Sequence, residues 1–194
     1  MNYLAHSFLS GHNEEILVGN FIADSVRGSQ LHIFPEKIAQ GILLHRQIDA
    51  FTDIHPVVHQ SKNRLRQGYK KYAGVIADIY YDHFLAVNFN HYSTESLADF
   101  SQRVYALVNQ YEAILPEKVK YFLPYMIKHN WLLNYANLEG IRRSLTGLSR
   151  RTAFLSNMET AADELELNYD LYYADFNDFF PDLQRFVEAQ LNKF

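Results

Sequence analysis

Histidine and aspartate fall together at several places in this chain, and these residue types can hold a divalent cation without sulfur. In His45-Arg46-Gln47-Ile48-Asp49-Ala50-Phe51-Thr52-Asp53 the acids follow the histidine at i+4 and i+8. On a helix that spacing sets all three on roughly one face. An imidazole and a carboxylate one turn apart can share a cation, or one can orient the other; a plain His–Asp hydrogen bond is the bland alternative. A second group is Tyr80-Tyr81-Asp82-His83-Phe84-Leu85, with Asp78 one turn earlier. Burying a carboxylate among such residues is costly unless it is paired or ligates a cation, and the tyrosine hydroxyls offer another way to satisfy it. In Gly19-Asn20-Phe21-Ile22-Ala23-Asp24-Ser25-Val26-Arg27-Gly28, Asp24 lies in an otherwise apolar turn, one helical turn after Asn20. It can be a ligand or a general base, while Arg27 either meets a phosphate or pairs with Asp24 at i, i+3. His6, flanked by Leu4, Ala5, Phe8 and Leu9, reads alone as a core histidine and gains weight only from its company.

His6, Asp24, His45, Asp49, Asp82 and His83 together make an imidazole and carboxylate set that suits Mn²⁺, Mg²⁺ or Fe²⁺ better than a structural zinc. Such a centre lowers the pKa of water and polarises a phosphoryl oxygen, which points to metal-assisted hydrolysis. Competing chemistries are sparse. No G-x-S-x-G elbow, Walker-type loop, G-x-G-x-x-G or H-E-x-x-H occurs. With no cysteine, disulfides, thiolate nucleophiles and cysteine-ligated clusters are excluded.

The elements that must carry these residues are helices. Apolar residues recur mostly at steps of three and four, as in Ile38, Ala39, Ile42, Leu43, Ile48 and Phe51, with Pro35 where a first-turn proline belongs. The same pattern predicts helices near 2–10, 14–27, 57–71, 73–89, 94–113, 117–135 and 137–149, and a long one over about 152–190. Gly28, Pro56, Gly74, Pro116 and Pro181 punctuate the series. With 194 residues, 48% of them hydrophobic, the expectation is an all-α, single-domain helical bundle. No run reaches the length of a membrane span and no basic leader opens the chain, so a cytoplasmic protein with no membrane partner is expected.

The net charge of −4 conceals an asymmetry. Lys62, Arg64, Arg66, Lys70 and Lys71 crowd one segment that contains no acid, whereas the stretch from Glu159 to Glu188 is strongly acidic. Both can be solvated helix faces, but a basic helix without acids suits an acidic partner. The overall acidity argues against nucleic acid.

At the same residues the chain resembles the acyl carrier protein phosphodiesterase family, an all-α group similar to HD-domain phosphohydrolases. The matching stretches are Met-Asn-Tyr-Leu-Ala-His at 1–6, Gly-Asn-Phe-Ile-Ala-Asp-Ser-Val-Arg-Gly at 19–28, His-Arg-Gln-Ile-Asp-Ala-Phe-Thr-Asp at 45–53 and Asp-His-Phe-Leu at 82–85. Beyond about residue 90 it rests chiefly on Trp131 and Ser149-Arg150-Arg151. The resemblance implies removal of 4′-phosphopantetheine from holo-acyl carrier protein, with a divalent cation, typically Mn²⁺. Carried over motif by motif, it assigns the metal to His6, Asp24, His45, Asp49, Asp82 and His83, with Asp24 as base. It sets Arg46 and Arg27 against the charge of the phosphodiester. The acidic carrier then has a docking helix in Lys62, Arg64, Arg66, Lys70 and Lys71. Two other readings stay open: the same chemistry on a nucleotide, or a non-catalytic helical module that binds an acidic protein.

Overall fold

Helix starts are written into the local sequence. Asn13, Ser96 and Asn137 each accept a hydrogen bond from the backbone N–H three residues on, and Pro56 occupies a first turn where its missing N–H costs nothing. The computed structural model describes residues 1–194, and none lies in a strand. The helices are α1 (Tyr3–Phe8), α2 (Glu14–Ile22), α3 (Glu36–Ile54), α4 (Pro56–Tyr69), α5 (Ala73–Val87) and α6 (Phe89–Tyr92). After them come α7 (Leu97–Gln110), α8 (Glu117–Lys128), α9 (Trp131–Asn134), α10 (Leu138–Ser149), α11 (Ala161–Leu167) and α12 (Tyr169–Leu191). No helix is long and apolar enough to cross a membrane.

The expected helix over 14–27 stops at Ile22 and continues as 3₁₀ turns over Ala23–Ser25 and Gly28–Ile33. The expected helix over 117–135 breaks at Asn130, which adopts a left-handed conformation. The single helix expected over 152–190 is α11 and α12, and residues 152–157 are not helical. There Thr152 donates its hydroxyl to the carbonyls of Ser149 and Phe154, a local alternative to helical bonding. Pro181 does not punctuate; it lies inside α12. An interior proline costs about 3 kcal/mol, but Phe176, Phe179, Phe180, Leu183 and Val187 carry one buried face through it.

A single contiguous cluster of 52 buried apolar residues forms the core. At its centre is α5, buried from Ile76 through Ala86 apart from Asp78, as suits a helix apolar nearly all round. Two features of this packing place the site. Gly19 of α2 and Gly41 of α3 let the two backbones touch: a Cβ at Gly19 would lie 2.0 Å from the Ile38 carbonyl oxygen, and one at Gly41 would lie 2.1 Å from that of Ile16. Asp82 of α5 meanwhile accepts the backbone N–H groups of Asn2, Leu4 and Ala5 at 3.1, 2.8 and 3.3 Å. It thereby fastens the N-terminus of α1 to the central helix, where a carboxylate is favoured.

Charge compensation in the fold changes the reading of the basic segment. Lys62 is buried and donates to Asp53 at 2.6 Å, and Arg64 pairs with the buried Asp175 of α12. Arg142 is likewise matched by Asp163, 2.7 Å away. Part of the acidic tail therefore answers part of the basic chain internally. Arg66, Lys70 and Lys71 remain exposed.

Candidate active site

Four segments converge beside the contact between α2 and α3. α1 supplies His6, α2 supplies Asn20, the following 3₁₀ turn supplies Asp24, and α3 supplies His45 and Asp49 one turn apart. The two imidazoles lie almost parallel, with centroids 3.7 Å apart and planes 14° apart.

Asn20 sets the state of both rings. Its amide nitrogen donates to the His6 carbonyl at 2.9 Å and to Ser10 Oγ at 3.0 Å, so its Oδ1 faces the histidines. His6 Nδ1 donates to that oxygen at 2.9 Å, and His45 Nδ1 donates to the Asn20 backbone carbonyl at 2.9 Å and to Oδ1 at 3.1 Å. Oxygens of this kind only accept, so each Nδ1 carries the hydrogen and each neutral ring has its lone pair on Nε2. Those Nε2 atoms face carboxylates. His6 Nε2 is 3.1 Å from Asp49, and His45 Nε2 is 3.3 Å from both Asp49 and Asp24.

Lone pairs facing carboxylate oxygens need a cation between them. In the protein alone that cation is a proton. Burial opposes a charge on His45, but its hydrogen bonds to the Asp24 and Asp49 carboxylates outweigh it and raise its pKa to about 9. Burial, and then the charge of His45, push His6 down to about 4. Burial works against the Asp49 carboxylate, yet the bond from protonated His45 and the nearby Met1 ammonium hold it below its ordinary range; the bond from His45 does the same for Asp24. The donor atoms of His6, His45 and Asp49 lie within 4.8 Å of one another, a set that could hold one divalent ion. Histidines whose Nδ1–H groups are tied to oxygen acceptors are the usual arrangement around such an ion. The side chain of Asp24 is 66% exposed against 42% for Asp49, so Asp24 is the carboxylate nearer solvent. Tyr3 lines the same small cavity as His6, Asp24 and His45.

The Asp82-His83 pair is not brought to this cluster. Neighbours on a helix diverge by about 100°. Asp82 turns to the N-terminus of α1, while His83 Nδ1 donates to the Tyr135 carbonyl at 2.7 Å and its Nε2 lies 3.1 Å from the Tyr169 hydroxyl. Every polar atom of the pair has a protein partner. Arg46 donates to the Val26 carbonyl at 3.1 Å, and Arg27 is exposed. The i, i+3 pair between Asp24 and Arg27 does not form, because Asp24 turns to His45. Two contributors have no function in the sequence reading. Asn20, one turn before Asp24, carries the only available hint in that spacing; Asp78 lies 2.9 Å from the Met1 ammonium, which also stands 3.9 Å from Asp49.

The family model described as acyl carrier protein phosphodiesterase matches residues 1–183. A protein of that name from Photorhabdus laumondii is 33% identical over 182 residues, covering 93% of this chain and 92% of its own. One from Escherichia coli is 32% identical over 185 residues, with 93% and 94% covered, and one from Yersinia pestis is 29% identical over 186 residues, with 95% and 96% covered. No solved structure matches the chain.

Proposed function

Because the chain belongs to the acyl carrier protein phosphodiesterase family, we propose that it hydrolyses the phosphodiester joining 4′-phosphopantetheine to holo-acyl carrier protein, releasing the apo-carrier. The observation that carries this is the convergence of His6 Nε2, His45 Nε2 and Asp49 within 4.8 Å, with both Nδ1 atoms held by Asn20. His6, His45 and Asp49 would hold a divalent cation, with Asp24 at its edge. Nitrogen donors beside carboxylates favour Mn²⁺ or Fe²⁺ over Mg²⁺, and Mn²⁺ is the ion the family resemblance implies. Such an ion polarises a phosphoryl oxygen and lowers the pKa of water.

The chain's own groups supply the rest. Asp24, the more exposed carboxylate, takes the proton of the attacking water. Asn20 keeps both imidazoles in the tautomer that turns Nε2 inward. Arg27, three residues after Asp24, and Arg46, next to His45, would offset the charge of a phosphodiester as it reacts. Arg66, Lys70 and Lys71 form the exposed basic surface for an acidic carrier; Lys62 and Arg64 instead hold α4 to α3 and α12.

Mass spectrometry of holo-carrier incubated with the Mn²⁺-loaded protein tests the reading. It predicts loss of the prosthetic-group mass, abolished in Asp24→Ala. An unchanged carrier mass with folded, metal-loaded protein would contradict it.

A further inference from the structure

Trp131 is the chain's one tryptophan, and neither the histidine cluster nor the basic surface gives it a task. It opens α9 half-buried, its indole stacked on Phe122 with centroids 6.4 Å apart and planes 7° apart. Phe122, half-buried on α8, packs against the Tyr3 ring at 5.7 Å. Tyr3, also half-buried, lines the cavity of His6, Asp24 and His45. An aromatic row therefore runs from the reacting cavity outward to α9. Its rings differ from the core aromatics such as Tyr80, Phe84 and Phe176, which are wholly enclosed.

A phosphodiester has a substituent on each side. On the functional reading above, one substituent is a folded acidic protein, too bulky for a cavity lined by 7 residues. The other is a slender, uncharged arm that bears amides. Half-exposed rings suit such a chain: they offer large contact area at small entropic cost, and a tyrosine O–H and an indole N–H can donate to its carbonyls. A polar cavity continued by aromatic surface is also the usual make-up of a small-molecule site. From this continuity we infer that Tyr3, Phe122 and Trp131 form the subsite for the pantetheine arm, with Trp131 at its outer end. The inference rests on the phosphodiesterase reading and adds which surface takes the arm.

The single tryptophan makes the test direct. Titrating 4′-phosphopantetheine into the Mn²⁺-loaded protein should give a saturable change in Trp131 emission, and inorganic phosphate should give none. In Phe122→Leu the inhibition constant for 4′-phosphopantetheine should rise about tenfold, while inhibition by inorganic phosphate stays unchanged and reports an intact centre. Trp131→Phe, which keeps an aromatic stack, should show a smaller rise. Turnover of holo-carrier with silent Trp131 emission and an unchanged constant in both variants would overturn the inference and leave the functional reading standing. No turnover together with no binding of 4′-phosphopantetheine would overturn both.

Discussion

His45 with Asp49 and His83 with Asp82 are two His–Asp neighbourhoods in one chain, and they end in opposite conditions. Around His45 the Nδ1 atoms of two imidazoles are tied to Asn20, leaving both Nε2 atoms against carboxylates with a single proton, on His45, between them. Around His83 each ring nitrogen has a protein partner, and Asp82 is occupied by three backbone N–H groups. On the proposed function a divalent cation would complete the first neighbourhood; the second is complete as it stands. Residue type and spacing do not separate the two, but the accounting of donors and acceptors does.

The largest expected effect breaks the first neighbourhood alone. His45→Ala or Asp49→Ala should lower turnover of holo-carrier about 10³-fold or more, whereas His83→Gln should leave it within about threefold. Steady-state kinetics on folded variants, with mass spectrometry of the carrier as readout, checks both. A loss in His83→Gln equal to that in His45→Ala would erase the distinction. Next in size, Asn20→Ala frees the His6 Nδ1–H and leaves His45 Nδ1–H only the backbone carbonyl, without touching the atoms that face the carboxylates. Mn²⁺ affinity, read by electron paramagnetic resonance, should fall about 10- to 100-fold.

Stability sharpens the contrast from the other side. Asp82→Ala strands three N–H groups that the carboxylate now accepts. At about 1–3 kcal/mol for each buried unmet group, it should be among the most destabilising single changes in the chain, visible as a melting temperature lower by about 10 °C. The pH dependences of His83 and His45 have opposite signs. Burial lowers the pKa of His83, so the unfolded chain takes up a proton near pH 6.5 that the folded chain refuses. The stability tied to neutral His83 is full above pH 6.5 and declines as pH falls, and His83→Gln should flatten that decline. His45 is raised to about 9, so its contribution in chelated protein is full below pH 6.5 and lost as pH rises through about 9. Thermal melts at pH 5 to 9, with chelator and with Mn²⁺, measure both slopes.

The smallest expected effect concerns the basic segment. Reversing Arg66 and Lys70 to glutamate should raise KM for the carrier several-fold at low salt and less at high salt. Arg64→Glu should instead lower the melting temperature, since its partner Asp175 is buried.

Much of this was legible beforehand, for reasons that particular residues make plain. The 3.6-residue recurrence in Ile38 through Phe51 reports a helix because one buried face is a local property. His45 and Asp49 stand together in space because i and i+4 always do on a helix. The direction of Asp82 is not local: it depends on α1 arriving above α5, which no spacing near residue 82 encodes. The pairing of Arg64 with Asp175 joins residues 111 apart in the chain, so a segment without acids looked uncompensated. Pro181 read as a boundary because proline is a local signal, and the aromatic face of α12 overrode it through contacts made elsewhere.

On the proposed function His6, His45 and Asp49 hold the ion, while Asp82 and His83 do not. Isothermal titration of Mn²⁺ into the chelator-stripped protein and its variants tests it most directly. One ion per chain is expected in the unaltered protein and in His83→Gln, and none in His45→Ala. Binding retained in His45→Ala and lost in folded His83→Gln would contradict it.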